Sequence, residues 1–179
     1  MLGQTMRLFA AIEIPDEIIE DLAALQNGVP GARWVPEENM HLTLAFFGEL
    51  QPPQAEDLDG LLSGIAARPF DLHFESVGLF GSPPRTLWAG VSRSEPLVRL
   101  AEKVTVAADR AGIELDRRKF APHVTLARLK DPPKKAMRNF LASHGDFRTE
   151  PFTVTNFALF SSYRGKEQAI YTAERYYVF

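Results

Sequence analysis

Cysteine is absent from the chain, so neither a disulfide framework nor thiolate chemistry is available, and any catalysis must draw on other groups. Long apolar runs are missing as well. No stretch approaches the roughly 20 apolar residues that a helix needs to cross a bilayer, and no N-terminal segment joins basic residues to such a run. The chain is therefore expected to be a cytoplasmic protein. No Gly-x-Ser-x-Gly nucleophile elbow and no glycine-rich phosphate loop occurs, which removes the usual serine-hydrolase and nucleotide-triphosphatase readings. Positive charge is scarce at first: Arg7 and Arg33 are the basic residues of the first sixty. Histidine is scarce throughout, with four in the chain.

What is present fits one domain. The 179 residues are 45% hydrophobic, enough for a sizeable core, and carry a net charge of −3. That small net charge conceals an asymmetry, because Arg117, Arg118, Lys119, Arg128, Lys130, Lys134 and Lys135 crowd around one stretch of the second half. Local basicity of this kind is what a phosphate-bearing partner would feel.

Periodicity organises the chain into a repeated order of elements. "RLFAAIEI" reads as a buried strand, followed by a helix with Ile18, Leu22 and Leu25 on one face and a stop at Asn27-Gly28. A strand covers His41 to Phe47, a helix follows Pro52-Pro53, and Phe70 to Phe80 reads as one half-buried strand. The order recurs with "TLWAGV", a helix from Pro96 to Gly112, a strand at "HVTLAR" within the basic stretch, a short helix after Pro132-Pro133, and strands at Pro151 to Phe160 and Ala169 to Phe179. Phe9 to Ile12 echoes Trp88 to Val91, and "GLF" at Gly78 echoes "ALF" at Ala158. The reading is an internal duplication: one domain of two lobes, about 1–83 and 84–179, packed around an approximate two-fold axis.

Two of the four histidines fall in the same pattern. His41-Leu42-Thr43-Leu44 and His123-Val124-Thr125-Leu126 are both His-x-Thr-Leu, a pattern that composition alone produces in roughly one chain in fifty of this length. On a strand His41 and Thr43 share one face, and His123 and Thr125 share another, with the apolar residues opposed to them. A two-fold axis would bring the polar faces together as a cleft with two imidazoles and two hydroxyls. Imidazole is the side chain that can be neutral in one copy and protonated in another near neutral pH. One ring can then take a proton from an attacking water while the other gives one to a leaving oxygen, and the threonines can donate to non-bridging phosphate oxygens. Zinc is the rival reading for paired histidines, but neither motif carries further ligands at the spacing that zinc requires, so no metal and no other cofactor is expected. His73 and His144 are read as solvent-exposed and without a role in the site.

The sequence resembles the 2H phosphoesterase superfamily, and within it the RNA 2′,3′-cyclic phosphodiesterase group also called 2′–5′ RNA ligases. The resemblance rests on "MRLFAAIEIP", "RWVPEENMHLTLAFFGE", "RTLWAGV", "FAPHVTLARLK" and the closing pattern from Phe157 to Tyr171, in that order along nearly the whole chain. It implies an α+β fold with two antiparallel-rich sheets facing each other across a cleft and helices outside. It also implies hydrolysis of an RNA 2′,3′-cyclic phosphate end to a 2′-phosphate, with reversible ligation as a secondary activity. By the same resemblance His41 is the proton donor to the departing 3′ oxygen, His123 is the base for water, and Thr43, Thr125 and Arg128 hold the phosphate. Simple alternation turns Arg128 away from His123, so that last role requires a bulge or the strand's end. Arg85 and the aromatics Phe9, Trp34 and Phe47 are further candidates for base or phosphate contact, with core packing the alternative for the aromatics. Two other readings stay open from the residues themselves: a module that binds RNA ends or nucleotides without turnover, and a phosphodiesterase of small cyclic nucleotides. The expected partner in the leading reading is RNA with a cyclic phosphate end, met by a monomer.

Overall fold

The computed structural model describes residues 4–179. Strand β1 (Met6–Glu13) is followed by helix α1 (Asp16–Ala23), the short strand β2 (Arg33–Trp34), a 3-10 turn at Glu37–Asn39, and strand β3 (His41–Leu50). Helix α2 (Pro52–Ser63) leads into β4 (Phe70–Leu72) and β5 (Phe74–Phe80). The second half runs β6 (Thr86–Val91), α3 (Glu95–Arg110), β7 (His123–Arg128), α4 (Lys134–His144), β8 (Phe152–Val154), β9 (Asn156–Arg164) and β10 (Ala169–Val178). The expected α+β architecture is the one found: antiparallel sheets in the orders β10-β9-β1-β3 and β2-β7-β6-β5, with β4 and β8 paired separately.

The elements form where local chemistry and apolar spacing agree. Helix α3 is the clearest case. The Ser94 side chain accepts from the Leu97 backbone N–H at 3.2 Å, Pro96 sits in the first turn, and Gly112 leaves the far end at φ +75°. Between these ends Leu97, Leu100, Val104 and Ala108 are buried, a stripe at helical spacing, and each such leucine stabilises the fold by about 1.5–3 kcal/mol. Leu42 and Leu44 of β3 and Val124 and Leu126 of β7 join the same core. The motif strands are thereby pinned from their apolar side, which leaves His41, Thr43, His123 and Thr125 half-buried on the other.

The repeat units do not fold as separate lobes with a boundary near residue 83. Strand β5, from the first unit, pairs with β6, whereas β9, from the second, pairs with β1. Each sheet therefore takes two of its four strands from the other unit, β9 and β10 beside β1 and β3, and β2 and β5 beside β7 and β6. This exchange also explains two breaks that the periodicity hid. Phe70–Phe80 and Pro151–Phe160 each read as one strand, yet each splits so that its first part, β4 or β8, pairs with the other while the remainder joins a main sheet.

Strand registers correct the alignment of the two units. Thr43 lies opposite Ala11 and Phe46 opposite Phe9, while Thr125 lies opposite Trp88 and Arg128 opposite Thr86. Just beyond each motif threonine a bulge skips one residue, Leu44 in β3 and Leu126 in β7, and β3 skips a second at Phe47. Ala11, not Phe9, is thus the structural counterpart of Trp88. The other echo holds, since Phe160 faces Phe9 as Phe80 faces Thr86.

The remaining histidines are less exposed than their sequence context suggested. His73 marks the β4–β5 break, where its carbonyl accepts from the Ser92 N–H at 2.9 Å, and its half-buried ring lies 3.6 Å from a Glu75 carboxylate oxygen. His144 closes α4 rather than lying in a loop, with its ring 4.6 Å from that of Phe140.

Candidate active site

Strands β3 and β7, which carry the two motifs, pack against one another. The bulge at Leu126 resolves the difficulty over Arg128. Because His123, Thr125 and Arg128 face Gly90, Trp88 and Thr86, which alternate along β6, all three share a face. The exposed guanidinium of Arg128 donates through Nη1 to Thr86 Oγ1 at 3.2 Å, and it is near enough to His123 for its charge to be felt there. The same bulge in β3 puts Phe46 on the face of His41 and Thr43.

Backbone contacts fix how the rings present themselves. Nδ1 of His123 lies 2.8 Å from the Ala121 carbonyl, which can only accept, so Nδ1 carries the proton and a neutral ring keeps its lone pair on Nε2. In the other motif the carbonyl of Asn39 occupies the counterpart position. It favours the charged ring but stays outside hydrogen-bond geometry, so His41 Nδ1 is buried without a close partner and Nε2 is the nitrogen left to the site. Burial holds both imidazoles below the ordinary histidine value of 6.5. The weaker influences differ. Ala121's carbonyl raises His123 and the Arg128 charge lowers it further, whereas both Asn39 and the Glu13 carboxylate raise His41.

Aromatic rings build the walls around each imidazole. Phe160 lies 4.5 Å from His41 and Phe80 lies 4.8 Å from His123, between ring centroids, so the same position of each unit supports a histidine. The Trp88 indole covers Gly78 and Gly90. A Cβ at Gly78 would come within 2.2 Å of that ring, so the indole can lie there only because the side chain is absent.

Of the aromatic candidates named from sequence, Phe9 and Phe47 are buried in the protein and Trp34 is half-buried. A more accessible aromatic is their neighbour Phe46, 69% exposed beside Phe9 at 5.8 Å. Alternation assigns that position to the wrong face, and the bulge is not written in the local sequence. The "GLF" and "ALF" echo did mark Phe80 and Phe160, but not their contact with the histidines. Arg117, Arg118 and Lys119 are exposed on the stretch between α3 and β7, with Arg118 paired to Asp116 at 2.9 Å. Arg85 is exposed just before β6, where its carbonyl accepts from the Leu129 N–H. Among the described residues no group of three or more His, Asp or Glu side chains is arranged to hold a metal ion.

Titratable rings, hydroxyl donors and a guanidinium on accessible strand faces are the equipment of a phosphoesterase-type site. A family model described as LigT like Phosphoesterase matches residues 12–88 and 90–171, and the chain belongs to that family. It is similar to an Archaeoglobus fulgidus protein named RNA 2′,3′-cyclic phosphodiesterase, 36% identical over 130 residues that make up 70% of this chain and 73% of the relative. A Thermotoga maritima protein of the same name is 32% identical, over 88% of this chain and 87% of its own length. Among solved structures, that of Escherichia coli LigT complexed with 3′-AMP matches with a TM-score of 0.80 and 28% identity, covering 98% of both chains.

Proposed function

We propose that this protein is a metal-independent phosphodiesterase that opens the 2′,3′-cyclic phosphate at an RNA 3′ end to leave a 2′-phosphate, acting as a cytoplasmic monomer. The observation that carries the reading is the paired His-x-Thr-Leu on two neighbouring strands of equivalent register, in a chain whose curated relatives bear the name of that activity. His123 Nε2 takes a proton from water as the water oxygen bonds to phosphorus. His41 Nε2 gives a proton to the 3′ oxygen as its bond to phosphorus breaks. Afterwards His41 is neutral and His123 is charged, and exchange with solvent restores both. Thr43, Thr125 and Arg128 hold the non-bridging oxygens, and Arg128 offsets charge that grows in the transition state. Phe46 offers an exposed ring on which the terminal base can stack. With a 5′ hydroxyl in place of water the same step joins two RNA ends through a 2′–5′ phosphodiester, the 3′ oxygen leaving with the proton from His41; in reverse the two histidines exchange roles and that linkage is cleaved back to the cyclic phosphate.

Turnover of a short RNA with a cyclic phosphate end, followed in the presence of a chelator, tests the proposal. A 2′-phosphate product is expected, together with loss of turnover in both His41→Ala and His123→Ala. Tight binding without product would instead make the chain a module for RNA ends. Faster turnover of a mononucleotide cyclic phosphate than of an oligonucleotide would move the substrate to small cyclic nucleotides.

A further inference from the structure

The two units supply an internal comparison, because equivalent positions around the two imidazoles carry opposite chemistry. Opposite His41 across the β1–β3 pairing stands Glu13, whereas opposite His123 across β6–β7 stands Gly90. Directly opposed residues on antiparallel strands project to the same face. The position of Gly90 is closed to any side chain, since a Cβ there would lie 2.8 Å from the Glu75 carbonyl oxygen and 3.1 Å from the Trp88 indole. Further along each motif strand the pattern reverses: Arg128 lies on the face of His123 where Phe46 lies on the face of His41. One imidazole therefore has a carboxylate opposite it and a phenyl group further along its face, and the other has a glycine opposite it and a guanidinium further along its face.

We propose that Glu13 is a positioning residue that makes the two imidazoles inequivalent, its carboxylate favouring the protonated form of His41 so that this ring, rather than His123, serves as the acid. The inference rests on the acid–base reading above and adds the residue that breaks the symmetry of the pair. Glu13 is itself held: the Tyr176 hydroxyl on β10 donates to its Oε1 at 2.7 Å, which also raises the tyrosine above its ordinary value. The other neighbours of His41 do not supply the same charge. The rings of Phe9, Phe160 and Tyr171 face it from β1, β9 and β10. From the preceding turn, Glu38 is engaged by Gln168 Nε2 at 3.1 Å. Helix α3 packs against β3, where Leu42 and Leu44 share the apolar core, and from β7 the Arg128 charge acts on His123.

The experiment is a titration of the two imidazoles by NMR in the parent protein and in Glu13→Gln, alongside the pH profile of kcat/KM on a 2′,3′-cyclic nucleotide. In the parent, His41 is expected to titrate above His123; the reverse order overturns the proposal without any variant. In Glu13→Gln the His41 midpoint is expected to fall with little change at His123. The alkaline limb should move down with it, with about a threefold loss of kcat/KM above that limb for each half unit. Glu13→Asp keeps the charge and should hold the limb near its parent position, which a purely structural role of the side chain would not require. An unchanged His41 midpoint in Glu13→Gln overturns the assignment. If His41→Ala remains active, the acid–base reading itself fails; if His41→Ala is inactive while Glu13→Gln leaves the midpoint in place, this inference alone fails.

Discussion

On the proposed mechanism, replacing His41 or His123 by alanine removes a proton carrier from a half-buried position whose neighbours are largely aromatic. The core behind it, built from Leu42, Leu44, Val124 and Leu126, stays intact. Turnover is expected to fall by about 10²- to 10⁴-fold in each case, while affinity for a 2′-phosphate product changes little. Arg128→Ala should weaken both binding and turnover, since a charge-assisted contact is worth about 1.5–3 kcal/mol. The pH profile follows from the direction of the shifts. In the proposed mechanism, raising the pH removes the proton that His41 gives, and lowering it protonates the nitrogen with which His123 accepts. Because burial holds both rings below 6.5, the bell for kcat/KM should peak on the acid side of neutrality. A bound phosphate anion favours both charged rings, so the profile for kcat should lie at higher pH. A kcat/KM profile that is flat, or centred well above neutrality, contradicts the assignment. Strand alternation alone made His41, Thr43, His123 and Thr125 legible. Arg128 came from the family resemblance and not from alternation, and Phe46 from neither, because each joins the motif face through a bulge that depends on the partner strand.

Helix α2 and strand β10 are tied together at Asp59. Arg175 donates through Nε and Nη2 to its two oxygens at 3.1 and 2.8 Å, and the buried Tyr177 hydroxyl donates at 2.7 Å. These contacts, Arg175 foremost, hold the Asp59 carboxyl below its usual value. Its contribution is therefore present above the unfolded pKa and is lost as pH falls through the folded one. Asp59→Ala would strand the Tyr177 hydroxyl, so a loss of about 1–3 kcal/mol is expected in denaturant unfolding, and the penalty relative to the parent should shrink in acid. On the other sheet, Gly78→Ala would drive a methyl group into the Trp88 ring. That overpacking should cost about 1–3 kcal/mol and alter tryptophan fluorescence. Elements of this kind were largely readable from apolar spacing, including α3 and both motif strands. The breaks at His73 and Thr155 were not, because they mark an exchange of strand partners, and a continuous apolar pattern persists across them.

At the level of the molecule, duplication places a like constellation on each sheet and leaves the differences to do the chemistry. The repeat could be recognised in the sequence, but its register could not: similarity aligned Phe9 with Trp88, while the bulges set Ala11 there instead. Nor could the exchange of β2 and β5 for β9 and β10, since it is decided by how two incomplete sheets cover their edges. The chain carries a net charge of −3, yet Arg128 and the exposed run Arg117 to Lys119 lie on and just before β7. Salt should accordingly weaken turnover of an RNA oligonucleotide more than that of a mononucleotide cyclic phosphate, through KM rather than kcat. Equal salt dependence would confine recognition to the terminal nucleotide. The most direct measurement for the whole account is the product formed from a short RNA with a 2′,3′-cyclic phosphate end, incubated with the intact protein in heavy-oxygen water and excess chelator. A 2′-phosphate carrying one oxygen from solvent is the predicted result. A cyclic end left unchanged, a 3′-phosphate, or hydrolysis that stops when metal is withdrawn would contradict it.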